Sequence, residues 1–164
     1  MKIELKKLNA LQHAVLPFSE VIDLKDEKMY GRNPFQSPVY VEGEVSNESG
    51  VLRLKGSIRT VYSTECARCL KPLDIPLEAE ADMILSDDPE AEEEDDLFVL
   101  TGDSVDPADV LVPALILQVQ MTYLCKEDCK GLCPTCGKNL NLGPCGCRKQ
   151  IDPRFAVLEQ LLDK

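Results

Sequence analysis

Eight cysteines, arranged as four close pairs, constrain this chain more strongly than any other feature of its sequence. Within each pair the cysteines are separated by one to three residues, so a single tight turn can bring both sulfurs to the same point. The pairs are Cys66 and Cys69, Cys125 and Cys129, Cys133 and Cys136, and Cys145 and Cys147. Close pairs of this kind are typical of proteins that hold a metal ion through thiolates.

The compartment decides whether such pairs indicate metal ligands or disulfides. The start of the chain lacks the continuous apolar stretch of a signal peptide, and the longest apolar run, at residues 110–117, is too short to cross a bilayer. We therefore expect a cytoplasmic protein with no membrane partner. Because cytoplasmic thiols stay reduced, the pairs indicate metal ligands before disulfides.

Four thiolates hold Zn²⁺ in a tetrahedral site that has no open position for a reactant, so we expect structural zinc. The partition that uses every cysteine predicts two Zn²⁺ ions. One is held by Cys66, Cys69, Cys125 and Cys129, and the other by Cys133, Cys136, Cys145 and Cys147. The alternatives are a single zinc ion, or no metal and a Cys66-x-x-Cys69 dithiol that acts as a thiol-based redox sensor or oxidoreductase.

Alternating apolar and polar residues predict an antiparallel sheet with one solvated face. The N-terminal residues 1–8 alternate in this way, and a short strand is expected at 21–24. Three longer strands are predicted at 39–46, 52–62 and 73–85. The predicted fold class is therefore α+β, with an antiparallel β-rich core and a crossing helix.

The first hairpin of this sheet allows its register to be predicted. With residues 47–50 as its loop, Glu44 faces Arg53 and Glu42 faces Lys55 across the strands. The two basic residues are then neutralised by the opposite strand.

Net charge is concentrated in one stretch. Residues 81–110 contain twelve acidic and no basic residues, and the rest of the chain is nearly neutral. We expect residues 86–96 to form a mobile acidic loop, because such a run repels itself and cannot bury apolar surface. The acidity therefore does not exclude an anionic partner, although no strongly basic footprint is present.

Two helices complete the predicted architecture. The first spans about 107–121 after an N-cap at Asp106, and a short C-terminal helix begins at the N-cap Asp152. The chain is thus divided into residues 1–121, the sheet core with its acidic loop and helix, and residues 122–164, the zinc-binding segment with the last helix. We expect the two parts to form one compact unit overall.

The sequence contains no phosphate loop, dinucleotide fingerprint or nucleophile elbow, so we expect a protein that is not an enzyme. Several basic residues are candidate contacts for RNA phosphates. They are Arg59, Arg68, Lys71, Lys130, Lys138, Arg148 and Lys149. Among these, Arg59 and Arg68 lack an evident partner in the predicted register.

The order of motifs resembles the large ribosomal RNA subunit accumulation proteins, the YceD family. The resemblance covers essentially the whole chain: Glu65-Cys66-Ala67-Arg68-Cys69-Leu70, an acidic stretch, Cys125-x3-Cys129-Lys130-Gly131-Leu132-Cys133-Pro134-x-Cys136-Gly137-x-Asn139-Leu140-Asn141, Cys145-x-Cys147 and Asp152-Pro153-Arg154-Phe155. It implies a non-enzymatic bacterial factor needed for the synthesis, processing or stability of 23S rRNA. The expected partners are 23S rRNA, a pre-50S ribosomal particle or a ribosomal protein, and not DNA. The alternative is a protein-binding adaptor with no direct RNA contact.

Overall fold

The computed structural model describes residues 1–9, 13–88 and 96–147. Its strands are β1 (Ile3–Glu4), β2 (Val15–Ile22), β3 (Val39–Glu48), β4 (Val51–Glu65), β5 (Pro72–Ser86), β6 (Leu97–Val99) and β7 (Ser104–Val105). Its helices are α1 (Lys6–Asn9), α2 (Pro107–Leu117) and a 3₁₀ turn (Leu140–Leu142). Strands β2 to β6 form one five-stranded sheet in that order, and β1 pairs with β7. The predicted α+β class is confirmed.

The five-stranded sheet is mixed, which corrects the prediction of a wholly antiparallel core. The pairs β2/β3 and β3/β4 are antiparallel, whereas β6 runs parallel to β5, with Ile84 opposite Leu97. A three-residue strand has too few positions for an alternating pattern to reveal its direction. Parallel neighbours need a longer connection than a hairpin turn, and the acidic segment between β5 and β6 supplies that length.

The N-terminal part also differs from the prediction. The expected strand over residues 1–8 is limited to β1, and α1 follows it. The strand expected at 21–24 is β2, which begins much earlier. Strand β2 lies at the edge of the sheet, and its exposed residues do not strictly alternate with buried ones. The alternation of apolar and polar residues therefore does not indicate its full length. Its edge position also tolerates Pro17, which has no N–H to donate.

A two-residue turn joins β3 to β4 and sets a register other than the predicted one. Ser49 and Gly50 have φ values of 58° and 97°, and a type I′ turn requires positive values at both central positions. Glu48 therefore lies directly opposite Val51. The four-residue loop predicted at 47–50 is wrong because Asn47 and Glu48, the last two residues of β3, pair with Leu52 and Val51.

This register changes the partners of the basic residues on β4. Glu44 lies opposite Lys55 and not opposite Arg53. The predicted pairs of Glu44 with Arg53 and of Glu42 with Lys55 are therefore wrong. The side chains of Arg53 and Lys55 instead lie 3.3 and 3.7 Å from carboxylate oxygens of Asp82 on β5.

A pair of glycines lets an aromatic ring lie against the sheet backbone. Gly43 on β3 is opposite Gly56 on β4, and the ring of Phe18, which is 5% exposed, packs over both. A Cβ at Gly43 would overlap the carbonyl oxygen of Lys55 and lie 2.7 Å from Cζ of Phe18. The sheet core therefore requires glycine at this position.

Helix α2 packs against β5 and β3 through the fully buried Leu111 and Leu115. The predicted N-cap is confirmed, since the side chain of Asp106 accepts a hydrogen bond from the first turn. The helix ends before the predicted residue 121, because the N–H of Gln118 bonds to the carbonyl oxygen of Leu115 and tightens the last turn. Within the described parts of the chain, no helix is long and apolar enough to cross a membrane.

The chain divides into two compact units. The sheet unit comprises Met1–Thr64 and Pro72–Met121, and the cysteine unit comprises Glu65–Lys71 and Thr122–Lys164. Residues 65–71 thus belong to the cysteine unit, whereas the division made from the sequence assigns them to the sheet. That the two parts form one compact body stays a prediction.

Some predictions fall outside the described residues. They concern most of the acidic loop at 86–96, the helix expected from Asp152, and the side chains of Arg148 and Lys149.

Candidate metal centres in the cysteine unit

The first cysteine pair lies in the connection between β4 and β5. The backbone N–H of Cys66 donates to the carbonyl oxygen of Lys71 at 2.8 Å, and the N–H of Leu70 donates to the carbonyl oxygen of Cys66 at 2.9 Å. Leu70 closes the turn in the left-handed region, with φ 58°. The connection thereby forms a knuckle that brings the sulfurs of Cys66 and Cys69 within 4.8 Å.

Hydrogen bonds tie this knuckle to the loop at residues 125–129. The N–H of Ala67 donates to the carbonyl oxygen of Tyr123 at 2.9 Å. The guanidinium of Arg68 donates to the carbonyl oxygen of Cys129, also at 2.9 Å. Because these bonds fix both segments, the second cysteine pair is held beside the first.

The four sulfurs of the first cluster fit a tetrahedral metal ion. They belong to Cys66, Cys69, Cys125 and Cys129, and all lie within 4.8 Å of one another. Sγ of Cys66 is 3.8 Å from Sγ of Cys129, and Sγ of Cys69 is 3.6 Å from Sγ of Cys125. A tetrahedron with metal–sulfur bonds of about 2.3 Å has sulfurs about 3.8 Å apart. This grouping of cysteines is the one predicted from the sequence.

The second cluster is built on a separate knuckle. Its sulfurs, also within 4.8 Å of one another, belong to Cys133, Cys136, Cys145 and Cys147. The N–H of Gly137 donates to the carbonyl oxygen of Cys133 at 2.8 Å, with φ 71° at the glycine, a conformation that glycine adopts without strain. Cys136 and Cys147 are exposed. The second cluster is therefore more open to solvent than the first, in which three cysteines are buried.

Backbone amides favour the thiolate at one cysteine of each cluster. Burial has the largest influence on Cys66 and by itself raises the pKa, but several hydrogen bonds from N–H groups outweigh it and lower the pKa to about 6. Hydrogen bonds from backbone N–H groups, first that of Cys136, lower the pKa of Cys133 to about 6. Burial raises the pKa of Cys125 to about 12, and the hydrogen bond with Cys136 raises that of Cys147 to about 12. Without metal, each cluster mixes thiolates and thiols at neutral pH.

Both clusters lie within a region that matches a known family. The family model described as "Large ribosomal RNA subunit accumulation protein YceD" matches residues 54–162, which include all eight cysteines. The chain belongs to the YceD family.

Its relatives include bacterial and plant proteins. An uncharacterized protein of Mycobacterium tuberculosis is 32% identical over 121 residues, which cover 71% of this chain and 58% of that protein. The Zea mays protein named Large ribosomal RNA subunit accumulation protein YCED homolog 1, chloroplastic, is 30% identical over 146 residues, covering 69% of this chain and 50% of its own length. The uncharacterized protein YlbN of Bacillus subtilis is 25% identical over 166 residues, covering 99% of this chain and 96% of its own. The chain thus spans only about half the length of the first two. No solved structure matches it significantly.

In this YceD-family chain, the candidate RNA contacts are divided between the two units. Arg59 lies on β4 in the sheet unit, with its guanidinium 3.5 Å from the carboxylate of Glu42 and 5.6 Å from the ring centroid of Tyr40. The expectation that Arg59 lacks a partner is therefore wrong. The register shift explains the error, because Tyr40 lies directly opposite Arg59.

The remaining candidates within the described residues lie in the cysteine unit. Arg68 is engaged with the carbonyl oxygen of Cys129, so the expectation that it lacks a partner is also wrong. Lys71, Lys130 and Lys138 are exposed, and Nζ of Lys138 donates to the carbonyl oxygen of Pro144 at 2.9 Å. RNA binding by these residues stays a prediction.

Asn141 was not among the predicted site residues, although it stands in the motif that resembles the family. Its Nδ2 lies 3.4 Å from Sγ of Cys129, and this hydrogen bond lowers the pKa of that thiol. An amide donor close to paired cysteines is the signal that reveals such a residue, because thiolate ligands are stabilised by N–H donors around them.

Proposed function

We propose that this chain is a non-enzymatic, zinc-binding ribosome-biogenesis factor that supports the synthesis, processing or stability of 23S rRNA. The observation that carries the proposal is that two four-cysteine clusters lie inside the region matched by the large ribosomal RNA subunit accumulation family. In this proposal the protein acts in the cytoplasm by binding 23S rRNA or a pre-50S particle.

The chemistry of the cysteines supports zinc as the metal. Sets of four thiolates with tetrahedral spacing suit Zn²⁺, which has no redox chemistry and accepts this geometry readily. All four positions around each ion are then taken by protein ligands, so the ion stabilises the fold of the cysteine unit instead of activating a substrate. A small protein with closed metal sites is suited to binding and not to catalysis.

The metal content of the purified, reduced protein tests the zinc proposal. Mass spectrometry under native conditions and elemental analysis should give two zinc ions per chain. Removal of zinc with a chelator should unfold the cysteine unit, and added zinc should restore it. Metal-free protein with a reversible Cys66–Cys69 disulfide would overturn this proposal in favour of a redox dithiol.

Depletion of the protein in cells tests the role in ribosome biogenesis. We expect the ratio of 23S to 16S rRNA and the amount of 50S particles to fall, and the wild-type gene to restore both. Unchanged 23S rRNA would contradict the proposal. Ultraviolet crosslinking should recover large-subunit rRNA; recovery of a protein partner without rRNA would favour the adaptor instead.

The exposed lysines of the cysteine unit allow a direct test of RNA contact. The triple variant Lys71→Ala, Lys130→Ala and Lys138→Ala should weaken binding to large-subunit RNA, and the salt dependence of log K should become shallower by about one for each lost phosphate contact. The matched control replaces three lysines of the sheet unit, Lys2, Lys6 and Lys25. Equal weakening by both triple variants would indicate attraction without a defined RNA site.

A further inference from the structure

The side chain of Asn141 joins the two cysteine clusters. Its Nδ2 donates to Sγ of Cys129 in the first cluster at 3.4 Å, and its Oδ1 accepts the backbone N–H of Lys130 at 2.9 Å. In sequence, however, Asn141 lies between Cys136 and Cys145 of the second cluster. One side chain thus belongs to the loop of one site and contacts a sulfur of the other.

The orientation of this amide is fixed within its own turn. Asn141 lies in the 3₁₀ turn (Leu140–Leu142), which is capped by Asn139. Oδ1 of Asn139 accepts hydrogen bonds from the backbone N–H of Asn141 at 3.0 Å and from its Nδ2 at 2.9 Å. Donor and acceptor ends of the Asn141 amide therefore all have partners, so Nδ2 faces the sulfur in a defined rotamer.

The turn itself is anchored beside the second cluster. The N–H of Leu140 donates to the carbonyl oxygen of Gly131 at 2.9 Å, and the N–H of Cys133 donates to the carbonyl oxygen of Lys138 at 2.9 Å. The loop that carries Asn141 starts and ends at ligands of the second cluster, so a metal ion there restricts the loop. Without that ion, the loop has more conformations to lose before Asn141 can reach Cys129.

We propose that Asn141 is a positioning residue for the metal ion of the first cluster, called the Cys66 cluster below. Through Asn141, metal binding at the second cluster, the Cys133 cluster, strengthens metal binding at the Cys66 cluster. This inference rests on the proposed zinc binding. A thiolate ligand keeps negative charge when it binds zinc, and an N–H donor stabilises that charge and orients the sulfur. The coupling is reciprocal for the binding free energies of the two sites, but their release rates need not change by the same factor.

Site-resolved zinc release tests the proposal. Zinc-loaded protein is mixed with excess chelator, its free thiols are alkylated over time, and peptide mass spectrometry follows the cysteines of each cluster separately. Asn141→Ala should release zinc from the Cys66 cluster about tenfold faster, with release from the Cys133 cluster changed less. The matched control is Leu142→Ala in the same turn, where the side chain is 85% exposed; it should behave like the wild type.

The variant Asn141→Asp separates this role from a structural one. Aspartate keeps an oxygen that accepts the N–H of Lys130 but cannot donate to Cys129, so it should release zinc at least as fast as Asn141→Ala. Release at the wild-type rate by both variants would overturn the proposal. Wild-type protein in which all cysteines are alkylated before chelator is added would instead overturn zinc binding itself.

A double-mutant comparison tests the coupling. Cys145→Ser removes a ligand of the second cluster and should speed release from the Cys66 cluster about as much as Asn141→Ala does; Cys147→Ser serves if Cys145→Ser does not fold. Combining Cys145→Ser with Asn141→Ala should add little to either change. If the two effects multiply, the clusters are not coupled through Asn141.

Discussion

The guanidinium of Arg68 donates a 2.9 Å hydrogen bond to the backbone carbonyl oxygen of Cys129. Arg68 lies in the knuckle between Cys66 and Cys69, whereas Cys129 lies in the following cysteine loop. The carbonyl oxygen of Arg68 also accepts the N–H of Leu132 at 3.1 Å. Arg68 thus ties the knuckle to residues 129–132 through its backbone and its side chain, and the guanidinium has a structural role.

Replacing Arg68 by alanine should destabilise the zinc-loaded cysteine unit by about 1 kcal/mol, because a hydrogen bond to a backbone carbonyl is lost. Chemical denaturation measures this loss. The exposed Lys71 on the same knuckle is the control, and Lys71→Ala should change the free energy of unfolding by at most about 0.5 kcal/mol. Unchanged stability with weaker RNA binding in Arg68→Ala would show instead that Arg68 is an RNA contact.

Gly43→Ala should destabilise the sheet unit by about 2–3 kcal/mol. A Cβ at this position would lie only 2.5 Å from Cα of Gly56 and 2.7 Å from the ring of Phe18, and such overpacking is costly. Urea denaturation measures the change. Gly102→Ala is the matched control, since an added Cβ meets nothing within 4 Å there. Similar losses in both variants would contradict the close packing at the glycine pair.

The turn between β3 and β4 predicts opposite effects at its two central residues. Ser49→Asn should stabilise the sheet unit by a few tenths of a kcal/mol, because asparagine tolerates the left-handed region better than serine. Gly50→Ala should destabilise it by about 1 kcal/mol, because φ is 97°. Thermal unfolding gives both values. A neutral Gly50→Ala would show that the turn is not of type I′.

Zinc binding should release protons at neutral pH. Cys125 and Cys147, with pKa values of about 12, carry protons that the metal must displace, whereas Cys66 and Cys133, with pKa values of about 6, are already thiolates. Zinc affinity should therefore rise with pH through the neutral range, and fall more steeply below about pH 6, where Cys66 and Cys133 also become protonated. Calorimetry in buffers of different ionisation enthalpy measures the released protons. Heats that are independent of the buffer would contradict this.

The features predicted correctly depend on local sequence patterns. Strands β3 to β5 show period-two alternation over many residues, and the cysteine spacings are short enough that each pair must share a turn. The N-cap at Asp106 is likewise a local hydrogen bond. These features survive in the structure because neighbouring residues alone determine them.

The features missed depend on contacts between distant residues. Serine rarely adopts positive φ, so the sequence does not indicate the two-residue turn at Ser49 and Gly50. The predicted register of the hairpin is therefore shifted from the observed one. The direction of β6 depends on its neighbour β5, and β2 is recognised only through its pairing with β3. An amide near paired cysteines marks Asn141 as a candidate donor, but its partner, Cys129 of the other cluster, depends on how two loops meet.

The sulfurs of Cys69 and Cys125 lie 3.6 Å apart although the residues are 56 positions apart in the sequence. The chain between them, which includes β5, β6 and α2, is therefore a loop with both ends at one cluster. A metal ion that stayed bound to both cysteine pairs would close this loop as a disulfide does, which for a loop of this length removes unfolded-state freedom worth about 4 kcal/mol. The proposed zinc site would keep the loop closed where disulfides are reduced, and the stability of the intervening segment would then depend on the supply of metal.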